Sequence, residues 1–182
     1  MKGIVFTEFM DMVEDVFSPE VLELIIEKSD LPNGGAYTSV GVYDHQEIVR
    51  MTQNLSEHSH IPVAELLEAF GQHLFGRFVV SFPSFFENQK HSFEFLKQID
   101  SYIHIEVKKL YPDAQLPRFF HEQINQQTLV LYYISSRHFE DLAVGLIKGC
   151  MLHFKDEGNI SRELCSYKDQ QAIKMTIELA HA

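Results

Sequence analysis

The spacing of apolar residues changes near residue 117, and this change constrains the fold more than any other feature of the chain. Up to Tyr111, apolar side chains recur at intervals of three and four, the pattern of helices that bury one stripe. Beyond Pro117 the run from Thr128 to Ile134 is rich in β-branched and aromatic residues, and Ile173 to Leu179 alternates as a strand does. Phe139 to Phe154, between them, has helical spacing. Helices therefore come first, and short connections in the second half favour antiparallel pairing. The expected class is α+β: a mostly helical N-terminal lobe, then a lobe of helix and antiparallel sheet.

Punctuating residues divide the first half. Val5 or Phe6, Phe9, Val13 and Val16 or Phe17 form one helical stripe, which Ser18-Pro19 ends. Ser18 is placed to cap the next helix, over about Pro19 to Lys28, with Pro19 in its first turn. A loop over Asp30 to Gly35 follows, then helices over Asp44 to Leu55 and Pro62 to about Phe78, with a break at Ser81-Phe82-Pro83-Ser84. From Ser92 to Tyr111 the positions Phe93, Leu96, Ile99, Ile103, Val107 and Leu110 predict the longest and clearest helix, ended by Pro112. One domain is expected over residues 1–182, with a helical subdomain of about 1–62 and a second of about 63–182.

Composition removes several classes of function. A net charge of -11 argues against nucleic acid as a partner, because polyanion binding rests on clustered Lys and Arg. No apolar run approaches the roughly 18 residues of a membrane-crossing helix, so no membrane insertion is expected. Glu8, Asp11, Glu14 and Asp15 stand where a secretory signal would be apolar, which predicts a cytoplasmic protein with Cys150 and Cys165 reduced. Fifteen Phe without Trp, many of them between Phe70 and Phe95, read as core.

Two constellations carry possible chemistry. His104 lies beside the apolar stripe of the Ser92–Tyr111 segment, where its imidazole can project from a rigid backbone into an apolar cavity as an axial metal ligand. The competing account is a core histidine hydrogen-bonded to Asp100, one turn earlier. Tyr133, Ser135 and Arg137 are spaced by two within and just beyond a strand, so alternation would turn a phenol, a hydroxyl and a guanidinium to one face. Such a set suits carboxylates or a phosphate. Without a ligand it is one exposed face of a strand. No nucleophile elbow, phosphate loop or paired-carboxylate motif accompanies either constellation, so the chain is not expected to be an enzyme.

Ser101 to Val107 around an isolated histidine, then Lys109-Leu110-Tyr111-Pro112, Leu116-Pro117 and Tyr133-x-Ser135-x-Arg137, resemble the H-NOX (haem nitric oxide/oxygen binding) family. The similarity includes the Met1-Lys2-Gly3-Ile4-Val5 start and the Leu142 to Gly149 helix, and so spans essentially the whole chain, at the length of a stand-alone bacterial member. The resemblance implies haem b held between the two lobes, with the second subdomain anchoring it. His104 would be the proximal ligand to five-coordinate ferrous iron, and Tyr133, Ser135 and Arg137 would hold the two propionates. Pro117 and Val5 would keep the macrocycle out of plane.

Leu142, Leu74 and Phe9 stand where oxygen-binding relatives carry a distal tyrosine and its partners. With all three apolar, the resemblance implies an NO sensor that also binds CO and excludes O2. It further implies that NO breaks the iron to His104 bond, shifts the Ser92–Tyr111 segment, and so regulates a separate histidine kinase or cyclic diguanylate enzyme. No Cys-x-x-Cys-His motif provides for covalent haem attachment, and Cys165 lacks the second cysteine of the zinc site found in some relatives. The reading from another class is a haem-free regulatory domain that binds an anionic metabolite through Tyr133, Ser135 and Arg137.

Overall fold

Local sequence signals start the early helices where the structure has them. The computed structural model describes residues 1–180, so the last two residues of the expected 1–182 domain lie outside the described residues. Helix α1 (Gly3–Val16) is followed by α2 (Pro19–Lys28), where Ser18 Oγ accepts from the Val21 N–H at 3.3 Å. Helix α3 (His45–Ser59) opens with a capping box, in which Asp44 Oδ1 accepts from the Gln46 N–H at 3.0 Å and Glu47 Oε1 from the Asp44 N–H at 3.3 Å. Helix α4 (Val63–Ser81) ends at the predicted break, and a single 3₁₀ turn covers Pro83–Phe85.

The expected long helix is not one helix. The chain forms α5 (Ser92–Leu96), a π-helical turn (Ile99–Ile103) and α6 (His104–Leu110), so α4 is the longest helix among the described residues. Intervals of three and four fit an α-helix, and they also fit a 3₁₀ turn joined to a π turn, because a tighter turn followed by a wider one averages to the same spacing. Here the Gln98 N–H reaches back three residues to Phe95 O, and the Ile103 N–H reaches back five to Gln98 O. His104 follows this join directly.

The sheet is antiparallel in the order β1 (Arg118–Gln123), β2 (Thr128–Ile134), β4 (Gln170–Leu179), β3 (Gly158–Tyr167), with α7 (Glu140–Phe154) between β2 and β3 in sequence. Strands β2 and β4 match the two predicted runs. Strands β1 and β3 escape period-based detection because most of their residues are exposed on both faces and carry no apolar alternation. In register, Tyr133 pairs with Phe119 on one side and Ile173 on the other.

Two apolar cores meet at the crossing of α4 and α7. Phe6, Phe9, Ile25, Met51, Leu55 and Phe70 fill the first, while Phe75, Leu129, Leu131, Ile147, Met175 and Ile177 fill the second. Helix α4 thus serves both lobes. At the crossing a Cβ on Gly145 would collide with the Glu68 carbonyl and lie 2.9 Å from the Gly71 Cα, so the backbones touch only because both positions lack a side chain. Lys148 pairs with Glu68 across the same crossing. Buried Glu8 ties α1 to α4, its Oε2 accepting from Arg77 Nε at 2.8 Å.

Candidate functional site

Between the two cores lies a cavity of about 460 Å³ whose wall draws on both lobes. Helix α1 supplies Ile4 and Val5, α4 supplies Leu74 and Phe78, and α7 supplies Leu142 and Leu146. His104, the segment after α6 through Pro117, and the end of β2 with its following turn complete the wall. Part of the phenylalanine-rich stretch expected as core, including Phe82 and Phe85, faces this cavity instead.

His104 stands in the cavity wall and is paired with Asp100. Its Nδ1 stands 3.3 Å from Asp100 Oδ1, and the same oxygen accepts from the Phe119 N–H at 3.3 Å. An ionised carboxylate only accepts, so the imidazole donates from Nδ1 and leaves the Nε2 lone pair free. Burial lowers the His104 pKa, against the opposing pull of Asp100, and keeps the ring neutral near pH 7. A neutral imidazole whose far nitrogen is tied to a carboxylate is the arrangement in which histidine ligates a metal.

Tyr133, Ser135 and Arg137 all line the cavity, but strand alternation is not what brings them there. Strand β2 ends at Ile134, and Ser135 and Arg137 belong to the turn beyond it, where Ser135 Oγ accepts from the Arg137 N–H at 3.2 Å. Tyr133 is buried, and burial raises the pKa of its phenol, so it faces the cavity protonated, as a neutral donor. The Arg137 guanidinium donates to Gln115 O at 3.2 Å and to Gln115 Oε1 at 2.6 Å. Gln115 carries no sequence signal, because what selects it is a contact between segments 22 residues apart.

Val5, Leu74, Leu142 and Pro117 also line the cavity. Phe9 does not. It is fully buried in the first core with its ring edge-on to Phe70 at 5.2 Å, because the side of α1 that carries it faces α4 rather than the cavity. Lys2 lines the cavity too, and sequence spacing does not identify it.

An apolar chamber with one neutral histidine and a guanidinium, a hydroxyl and a phenol at another part of its wall fits a flat apolar group that carries an iron and acidic substituents. His104 could hold such an iron, and Tyr133, Ser135 and Arg137 could hold the acids. Anion binding alone would not need so large an apolar surface.

The family model for haem-NO-binding proteins matches residues 2–162. Among solved structures, the unliganded Fe(II) H-NOX protein from K. algicida is 36% identical with a TM-score of 0.92, the match covering 100% of this chain and 98% of that one. The H-NOX protein from S. oneidensis in its Fe(II)NO state is 27% identical with a TM-score of 0.90, and both chains are covered in full. A point mutant of the T. tengcongensis H-NOX, 22% identical with a TM-score of 0.87 and with 100% and 98% covered, shares the fold. No curated protein sequence matches significantly. A family model over almost the whole length, a relative more than one-third identical along the entire chain, and a histidine-bearing apolar cavity between two lobes agree: the chain belongs to the haem-NO-binding, or H-NOX, family.

Proposed function

We propose that this haem-based gas sensor binds ferrous haem b through His104, is selective for NO over O2, and regulates a separate signalling protein. Haem, when bound, would supply an iron that His104 would hold and that would bind a diatomic gas. The observation that carries the selectivity is the composition of the wall: among the described residues, the cavity-lining side chains of α1, α4 and α7 include no hydrogen-bond donor. Bound O2 bears partial negative charge and gains from a donor, whereas NO binds ferrous iron tightly without one. Leu74 and Leu142 leave such a donor out, and CO, which is similarly nonpolar, is accepted.

The residues around His104 account for a signal. Its Nδ1 is held by Asp100 and its backbone follows the π turn, so loss of the hold of His104 on the group would free α6 to move relative to α1 and α4. A partner in the cytoplasm, a histidine kinase or a cyclic diguanylate enzyme, reads that movement. The chain itself acts as sensor and not as catalyst. No helix among the described residues is long and apolar enough to cross a membrane.

The test is an anaerobic absorption spectrum of the reduced protein before and after NO, repeated in air and on His104→Gly with and without imidazole. The expected result is a Soret band that shifts blue with NO, no lasting oxygenated species in air, and haem loss in the variant that imidazole restores. A stable oxygen complex would remove the selectivity. A protein that neither contains nor takes up haem would return the site to the anionic-metabolite reading.

A further inference from the structure

Lys2 of the N-terminal lobe touches the segment after α6 with a side chain that is nearly enclosed. Lys2 is fastened to its own lobe by the backbone around it: the Gly3 N–H donates to Gly41 O at 2.8 Å, the Ile4 N–H to Ser39 O at 2.9 Å, and the Tyr43 N–H to Met1 O at 2.9 Å. Its Nζ donates to Val40 O at 2.9 Å. The same ammonium then crosses to the other lobe, 3.3 Å from Asp113 Oδ1 and 5.0 Å from the centre of the Tyr111 ring. The Lys2 side chain is only 13% exposed although Asp113 is 58% exposed, so the cation is shielded at the aromatic end and solvated at the acid end.

Tyr111 and Asp113 lie immediately beyond α6, and the segment they open runs along the cavity wall to Pro117. Arg137 pins the middle of that segment through Gln115. A movement of α6 reaches Tyr111 and Asp113 first, and Lys2 is the cation those two residues share with the loop at 38–43. From these contacts we propose that Lys2 is the positioning residue that couples the His104-bearing helix to the N-terminal lobe, by holding Tyr111 and Asp113 against the loop around Val40. This role rests on the sensor reading for its trigger. The contact itself does not depend on that reading.

Geometry separates this role from simple packing. A Lys2→Met change keeps the aliphatic stem and removes the cation, Lys2→Arg keeps the cation and its reach over Tyr111, and Asp113→Asn removes the partner charge from the solvent side. The experiment is amide hydrogen exchange on the haem-loaded ferrous protein, with and without NO, following residues 38–42 and 113–116.

Without gas, exchange at 113–116 is expected to rise about five-fold in Lys2→Met and less in Asp113→Asn, the scale of losing one partly shielded charge contact. With NO, wild type and Lys2→Arg are expected to change protection at 38–42, and the other two variants to show a smaller change or none. Wild-type exchange at 113–116 in both Lys2→Met and Asp113→Asn would overturn the proposal. An undiminished NO response at 38–42 in both, or a Lys2→Arg protein that behaves as Lys2→Met, would do the same. If wild type binds no haem or shows no spectral change with NO, the sensor reading fails, and the gas-free comparison still decides whether Lys2 clamps the segment.

Discussion

Gly145→Ala probes whether the close crossing of α4 and α7 sets the width of the cavity. The added Cβ meets the Glu68 carbonyl and lies 2.9 Å from the Gly71 Cα, and since both neighbours are backbone no side-chain rotation relieves the contact. The helices must part by on the order of 1 Å to recover normal van der Waals spacing. Forcing extra volume into a packed interior costs about 1–3 kcal/mol, and a backbone-to-backbone clash belongs in the upper half of that range. Replacing a helix-interior glycine with alanine returns up to about 1 kcal/mol of helix propensity.

The net loss is therefore about 1–2 kcal/mol, a fall in Tm of about 2–8 °C for a chain of this size. Because α4 contributes Leu74 and Phe78 to the wall and α7 contributes Leu142 and Leu146, the same separation should loosen the cavity and speed transfer of haem to excess apomyoglobin. Urea unfolding and the transfer rate are the two readouts. Gly76→Ala on α4, where an added Cβ meets nothing within 4 Å, is the control and should be neutral or stabilising. A Gly145→Ala protein as stable as the Gly76→Ala control, with wild-type haem transfer, would refute the packing argument.

Other changes test separate parts of the site. Leu142→Tyr places a phenol on a wall made of apolar side chains, and a lasting oxygenated spectrum in air should appear; if none does, a donor at this position is not sufficient. Arg137→Ala removes a charged two-pronged donor from the cavity rim, and haem transfer should accelerate by about tenfold, the worth of one charge-assisted contact. Glu8→Gln weakens the bond that Arg77 makes to a buried carboxylate and should cost about 1 kcal/mol in urea unfolding, with unchanged stability counting against the tie between α1 and α4. Burial raises the Cys150 thiol well above its unfolded value of 9.0. The folded state therefore keeps a proton that the unfolded chain sheds, so this contribution to stability is present below pH 9.0 and is lost as pH rises above it. Cys150→Ala should flatten the alkaline limb of the stability profile relative to wild type.

How much of this was legible in the sequence differs from element to element. Ser18 and Asp44 act within their own first turns, so the starts of α2 and α3 follow from neighbours two or three residues away. Strands β2 and β4 are buried at several positions, and burial writes itself into the sequence as a run of β-branched and aromatic residues in β2 and as alternation in β4. Strands β1 and β3 are exposed on most positions, so solvent accepts polar residues there and no pattern marks them. The π turn before His104 was hidden for a different reason, since its side-chain spacing is shared with an ordinary helix.

The site shows the same division. By itself the sequence determined the residue types that can carry the chemistry, namely a histidine on a helical stripe and a Tyr-x-Ser-x-Arg set at a strand end, together with an apolar choice at Leu74 and Leu142. It also determined the order of lobes, because the change of apolar period is local. Only the tertiary structure decided that Phe9 turns into the first core while Leu74 turns to the cavity, that Gln115 takes two donors of Arg137, and that Lys2 reaches Tyr111 and Asp113 across the lobes. The physical reason is that periodicity states which face of an element is apolar and says nothing of which other element that face meets. The cavity is made of such meetings, between segments more than 100 residues apart in the chain at Lys2 and Asp113.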